Sequence, residues 1–236
     1  MEYNDITSLI PEDGAERLNK LLSYQILDTE PEDTFDKFAL LASQIINTTG
    51  AFITFVDDER VFIKANLTEW TEEEAEKNAS LSALAILQDD VMVFQDVCAI
   101  PYLVDNDFVS PESGIRFFAA APLITPEGHN VGAVCVVDDV PRDPEESQIE
   151  MLITLSRIIV DKLENRLHYK KSIETQVNIM NIALHEIKNP LASIKLANDI
   201  FTKDRSRKEK MTDMIKDSVM KIQTRLADLL TQSEGR

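Results

Sequence analysis

The residues of this chain best suited to chemistry lie in one short run, LHEIKNPL, from Leu184 to Leu191. A neutral imidazole is a capable nucleophile near pH 7, which makes His185 the candidate nucleophile. Glu186, next in sequence, can hold the proton of the other ring nitrogen and stabilise the positive charge that develops during attack. Asn189 follows His185 by four residues and so shares its helix face one turn later. Pro190 cannot donate to the carbonyl of Glu186, so a helix here should bend just below His185. Zinc chemistry is not expected, because a His-Glu-x-x-His motif would need a second histidine where Asn189 stands. Cys98 and Cys135 lie far apart without metal-ligand spacing and read as free thiols. The remaining histidines, His129 and His168, read as solvated surface.

Long helices must position this run. Between Glu145 and Asn198 the only proline is Pro190 and glycine is absent, which permits one very long helix. Ile159, Leu163, Arg166, Lys170, Ile173, Val177, Met180, Leu184, Ile187, Leu191 and Ile194 advance in alternating steps of four and three. That is the heptad spacing of a helix packed against a parallel partner, interrupted by the polar Arg166 and Lys170. With Leu184 and Ile187 on the seam, His185 stands beside it within reach of solvent. Beyond a charged connector from Asp199 to Lys208, the residues Met211, Ile215, Ser218, Ile222, Arg225 and Leu229 repeat the alternation. Two such helices form a hairpin that leaves one apolar face wet, and two hairpins closing into a four-helix bundle bury it. A homodimer is expected from packing alone.

Upstream the pattern changes. Pro11 to Thr48 is helical in spacing, as two helices around the turn ILDTEPED. The run AFITFVD (Ala51 to Asp57) and RVFIKAN (Arg60 to Asn66) read as a tight hairpin, followed by the solvated acidic stretch TEWTEEEAEKN and the apolar LSALAIL. Further strands are expected at VMVFQDV, at IRFFAAAPLI (Ile115 to Ile124) and at VGAVCVVDD (Val131 to Asp139), the last two joined by the turn TPEGHN. Helices, then an antiparallel sheet, then another helix describe an α+β domain that closes near residue 165.

The bulk properties set limits. With 236 residues there is room for one full domain and a smaller module, and 44% hydrophobic content can supply a core. No apolar run reaches the roughly 18 residues needed to span a bilayer, and the opening is acidic where a signal peptide would be basic and then apolar. A cytoplasmic protein without a membrane segment is expected. The net charge of −18 argues against nucleic acid as a partner. That charge is uneven: from residue 151 onward 16 Lys or Arg face 11 Asp or Glu, which leaves 8 against 31 in residues 1–150. Such a break is what two modules with different neighbours would show.

Two resemblances organise these observations. The succession ILDTEPEDTFD, AFITFVDDERVFIKA and IRFFAAAPLITPEGHNVGAVCVVDDVPR, with the helix that follows, resembles a GAF domain over residues 15–165. The resemblance implies a sensor with a pocket between the sheet and LSALAIL, or a dimerising spacer without ligand. NASLSALAIL contains no cysteine, so no covalent chromophore is expected, and the spaced signature of cyclic-nucleotide-binding relatives is not found. LHEIKNPL resembles the H box of bacterial sensor histidine kinases, within a dimerisation and histidine-phosphotransfer domain over residues 172–236. Residues 1–14 then form an N-terminal segment and residues 166–171 a signalling-helix linker.

The second resemblance implies that His185 takes the γ-phosphoryl of ATP and passes it to an aspartate of a response regulator receiver domain. It also implies that Glu186 acts in acid–base chemistry and that Asn189 positions the water which hydrolyses the phosphorylated regulator. After Leu230 no Gly-rich ATP lid or nucleotide box is found. ATP and Mg2+ are therefore expected in a separate catalytic domain, and no autokinase activity is expected of these residues alone. The competing reading is a non-catalytic GAF ligand-binding or scaffold dimer.

Overall fold

The computed structural model describes residues 14–69, 74–76, 80–100, 103, 114–203 and 208–234. Most of the expected N-terminal segment, residues 1–13, and most of the acidic stretch lie outside them. The chain divides into two compact units, Met1–Leu167 and His168–Arg236.

In the first unit α1 (Gly14–Tyr24) and α2 (Asp33–Ile46) precede a hairpin of β1 (Gly50–Val56) and β2 (Arg60–Asn66). Then come β3 (Glu74–Glu76), α3 (Leu81–Ala85), β4 (Met92–Phe94), β5 (Phe117–Ile124) and β6 (Asn130–Asp138). The strands make one sheet in the order β3-β2-β1-β6-β5-β4, with every ladder antiparallel. The acidic stretch departs from expectation, because its Glu74–Glu76 adds an edge strand to β2, secured by an ion pair from Arg60 to Glu74. Between β5 and β6 the expected turn closes with Gly128 at φ 89°, a conformation open to glycine. The β1–β6 pairing needs Gly132, where a Cβ would come within 2.0 Å of the Thr54 carbonyl oxygen.

Both sheet faces are covered, which is why β5 and β6 are apolar without alternation. Ile53, Phe55, Val134 and Val136 point to a core shared with Leu21, Tyr24, Phe35 and Ala39, and with Leu152, Leu155, Ile159 and Leu163. The alternate residues Phe52, Ala133, Cys135 and Val137 face a second cluster with Leu81, Leu84, Val97 and Phe118. This is the period-two alternation of strand side chains.

A single helix, α4 (Glu146–Lys203), begins in the first unit and provides the opening arm of the second. It extends past the expected end at Asn198, and α5 (Lys208–Glu234) is the return arm. In the second unit Ala183, Pro190 and Ala197 of α4 are buried, as are Met211 and Ser218 of α5. Ile187, Ile194, Ile215, Ile222, Arg225 and Leu229 are half-buried.

The seam read from sequence needs two corrections. Ile159 and Leu163 belong to the core of the first unit and are fully buried there, so that face is already filled by the protein's own sheet. Arg166 does not interrupt a partner-facing seam; its Nη1 donates to Glu32 Oε1 at 2.7 Å and its Nη2 to the Gln25 carbonyl at 3.4 Å. Heptad spacing records that a stripe packs but not against what. Further along, Ile173, Val177, Met180, Leu184 and Leu191 remain exposed, Leu184 and Leu191 each one position after a buried residue, Ala183 and Pro190.

Candidate functional site

Pro190 lies inside α4 without ending it, and its ring is buried on the hairpin side. Burying Ala183, Ile187, Pro190 and Ile194 toward α5 turns the residues between them outward. His185 and Asn189 are therefore exposed on one face of α4, one turn apart. Ser193 Oγ donates to the Asn189 carbonyl at 3.2 Å, a back-bond within the turn below Pro190. Leu184 beside His185 is 58% exposed and Leu191 52% exposed, so an apolar strip borders the histidine.

Glu186 reaches across to α5. Its Oε2 forms an ion pair with Arg225 Nε of α5, while no hydrogen bond or ion pair joins it to His185 among the described residues. Sequence reasoning placed Arg225 on the α5 stripe without assigning it a partner. Its signal was the one charged residue in that series, at the position where α5 passes Glu186. Beside this pair a groove of about 500 Å³ is lined by Glu186, Asp217, Met220, Lys221, Thr224, Arg225 and Asp228.

A second polar constellation sits at the last turns of α4 in the first unit. Lys64 of β2 has a side chain with 0% exposure. Its Nζ donates to Thr29 Oγ1 and the Glu30 carbonyl, both at 2.6 Å, and meets Glu32 Oε1 at 3.0 Å. Glu32 thus joins the sheet, through Lys64, to α4, through Arg166. Two residues earlier on α4, Glu164 accepts from Tyr24 OH at 2.5 Å and pairs with Lys20 at 2.8 Å. Burial alone would raise the Glu32 and Glu164 carboxyls, but hydrogen bonds from these partners outweigh it and hold both below the usual range.

On the other sheet face, the segment expected to line a pocket is the short helix α3, whose residues are all buried. Ser82 Oγ lies 3.4 Å from Cys135 Sγ, and burial pushes that thiol up to about 11, so it is an inert core group at neutral pH. Both cysteines are unpaired. Among the described residues no cluster of three or more His, Cys, Asp or Glu is arranged to hold a metal ion. No described helix is long and apolar enough to cross a membrane.

Comparison with known proteins gives two family matches, a GAF domain over residues 28–164 and a His Kinase A (phospho-acceptor) domain over residues 175–236. A cyclic di-GMP phosphodiesterase of Pseudomonas aeruginosa is 30% identical over 154 residues, 65% of this chain. The chain spans 26% of the length of that relative. Among solved structures, a domain of a two-component sensor histidine kinase from Sinorhizobium meliloti aligns at 17% identity, covering 61% of this chain and 99% of its own, with a TM-score of 0.47. The GAF domain of an Acinetobacter phosphoenolpyruvate-protein phosphotransferase aligns at 14% identity, covering 69% and 96%, with a TM-score of 0.48.

Proposed function

Since the chain belongs to the GAF-domain family and joins that domain to a His Kinase A phospho-acceptor domain, we propose that it senses through the first and accepts phosphate on His185 of the second. It is the sensor and phosphoacceptor portion of a two-component sensor histidine kinase, read as residues 15–165, linker residues 166–171, and residues 172–236. The unprotonated ring nitrogen of His185 attacks the γ-phosphorus of ATP presented by a catalytic domain. The new N–P bond forms as the bond to the bridging oxygen breaks, and ADP leaves with the electron pair. Glu186 takes up the proton of the other ring nitrogen. A receiver-domain aspartate then takes the phosphoryl group from His185, and Asn189 orients water for its later hydrolysis.

A single observation carries this reading: His185 stands exposed on an unbroken helix within a hairpin whose packed face includes Pro190. Use of ATP and of a response regulator supports a cytoplasmic location. The exposed strip of Ile173, Val177, Met180, Leu184 and Leu191 supports a homodimer, because a second copy would cover it. The first domain serves as a sensor of an unassigned small molecule without a covalent chromophore. In the test, this chain is incubated with ATP, Mg2+ and a histidine-kinase catalytic domain, and acid-labile, base-stable phosphate is measured. Wild-type chain incorporates it and His185→Gln does not, with helix content unchanged; labelling that survives in His185→Gln would sink the assignment of His185, and a wild-type chain that takes no phosphate would point instead to a scaffold dimer.

A further inference from the structure

We propose that Arg225 is a positioning residue for the phosphoacceptor, a latch that holds Glu186 away from His185 until the phosphoryl donor is in place. The inference rests on the phosphoacceptor reading of His185. Glu186 is the one acidic neighbour of His185 in sequence, yet its carboxylate reaches across to α5 and pairs with Arg225. Arg225 Nε is shut off from water and meets that carboxylate as an ion pair without the alignment of a hydrogen bond. The Glu186 side chain is 50% exposed and that of Arg225 25%, so the pair is of the weak, surface kind that is made and broken at little cost. Its position matters as much as its strength. Arg225 occupies a stripe position between Ile222 and Leu229, where an apolar residue would pack against α4 without a charge. The adjoining groove of about 500 Å³ leaves room for the Glu186 side chain to swing free.

The chemistry gives the latch a direction. As the N–P bond forms, the imidazole becomes positive, and the proton on its second nitrogen must pass to Glu186 and on to water. With Glu186 on Arg225 that acceptor is withdrawn and its charge is neutralised locally. Releasing it speeds phosphorylation.

Full-length chain is phosphorylated in two ways. One uses phosphoramidate, whose P–N bond breaks as ammonia leaves; the other uses ATP and Mg2+ with a catalytic domain supplied separately. Arg225→Met keeps the apolar stem and removes the charge, and should label about two- to five-fold faster than wild type with both donors, the ceiling set by an exposed ion pair. Arg225→Lys, which keeps the charge, should stay close to wild type. In a Glu186→Gln background the Arg225→Met gain should vanish, because Arg225 acts only through that carboxylate. The proposal is overturned if Arg225→Met labels at or below the wild-type rate, or if its gain persists without the Glu186 carboxylate. Should Arg225→Met lose helix content, Arg225→Gln carries the same expectation. Labelling of His185→Gln would instead sink the phosphoacceptor reading, a separate failure.

Discussion

Asn189 offers an amide one turn from His185 on the same exposed face of α4, where donor and acceptor can both reach a water molecule. In the proposed scheme this amide serves dephosphorylation of the regulator and takes no part in the attack of His185. Asn189→Ala should therefore leave phosphate incorporation on His185 within about two-fold, while slowing loss of phosphate from the receiver domain by about 100-fold, the usual effect of a misplaced reactant. Equal losses in both assays would assign Asn189 to the helix instead of to water. His185 and Asn189 were legible because their spacing matches one helical turn whatever surrounds them. The Glu186–Arg225 pair was not: it links residues on two helices, and sequence fixes the stripe of α5 without fixing which α4 residue each member meets.

Elements are held in place at the α1–α2 turn, where Lys64, Glu32 and Arg166 join β2 to α4. Lys64→Met fills the same volume but strips the Glu30 carbonyl and Glu32 of a donor, and should cost about 2 kcal/mol, seen as a fall of roughly 5 °C in Tm. The same constellation sets a pH response. Glu32 and Glu164 have folded pKa values below the ordinary 4.5, so their contribution is present above 4.5 and is lost as pH falls below it, through the folded values. Tyr24 has the opposite sign. Burial, then its hydrogen bond to Glu164, raises its pKa far above the ordinary 10.0, so its contribution is lost as pH climbs beyond 10. Tm should be flat between about pH 6 and 9 and decline on both sides, and Glu32→Gln should blunt the acid limb; an acid limb identical in the variant would place the sensitive carboxyl elsewhere. None of this was readable in the sequence, where Lys64 is a charged residue in a half-apolar run and Arg166 a blemish in a heptad. Their partner Glu32 lies far along the chain, and short-range periodicity carries no such pairing. The strands around Gly132 and the α5 stripe were legible, because alternation in the one and heptads in the other are imposed by local geometry. The edge strand at Glu74 was missed since its residues have poor β propensity and are held by Arg60 and the ladder to β2.

At the scale of the whole molecule, the exposed strip from Ile173 to Leu191 should be the dimer seam. Leu184→Glu should weaken self-association about 100-fold, since each of two protomers loses roughly 1.5 kcal/mol of burial. Sedimentation at micromolar concentration should then find monomers, and an unchanged dimer would put the interface on the first unit. The stretch after Leu167 has neither proline nor glycine up to Pro190, so helical phase should reach His185 intact. One inserted residue there turns the downstream helix by about 100°, whereas seven restore its phase to within roughly 20°. In a kinase that carries this chain, insertions of one or two residues after Leu167 should lock or abolish the response, and seven should largely preserve it. Like behaviour of all three would make the linker a passive tether. The course of α4 has one more consequence, for how such proteins can be recombined. Leu152, Leu155, Ile159 and Leu163 belong to the core of the first unit although they sit on the same helix as His185, the proposed acceptor. A cut at the start of α4 would leave the donor fragment with an open sheet and hand the recipient a helix with an unmatched greasy flank. Only a splice beyond Leu167 leaves each parent whole, and any foreign sensor grafted there must deliver its last helix in the phase that Leu167 left off.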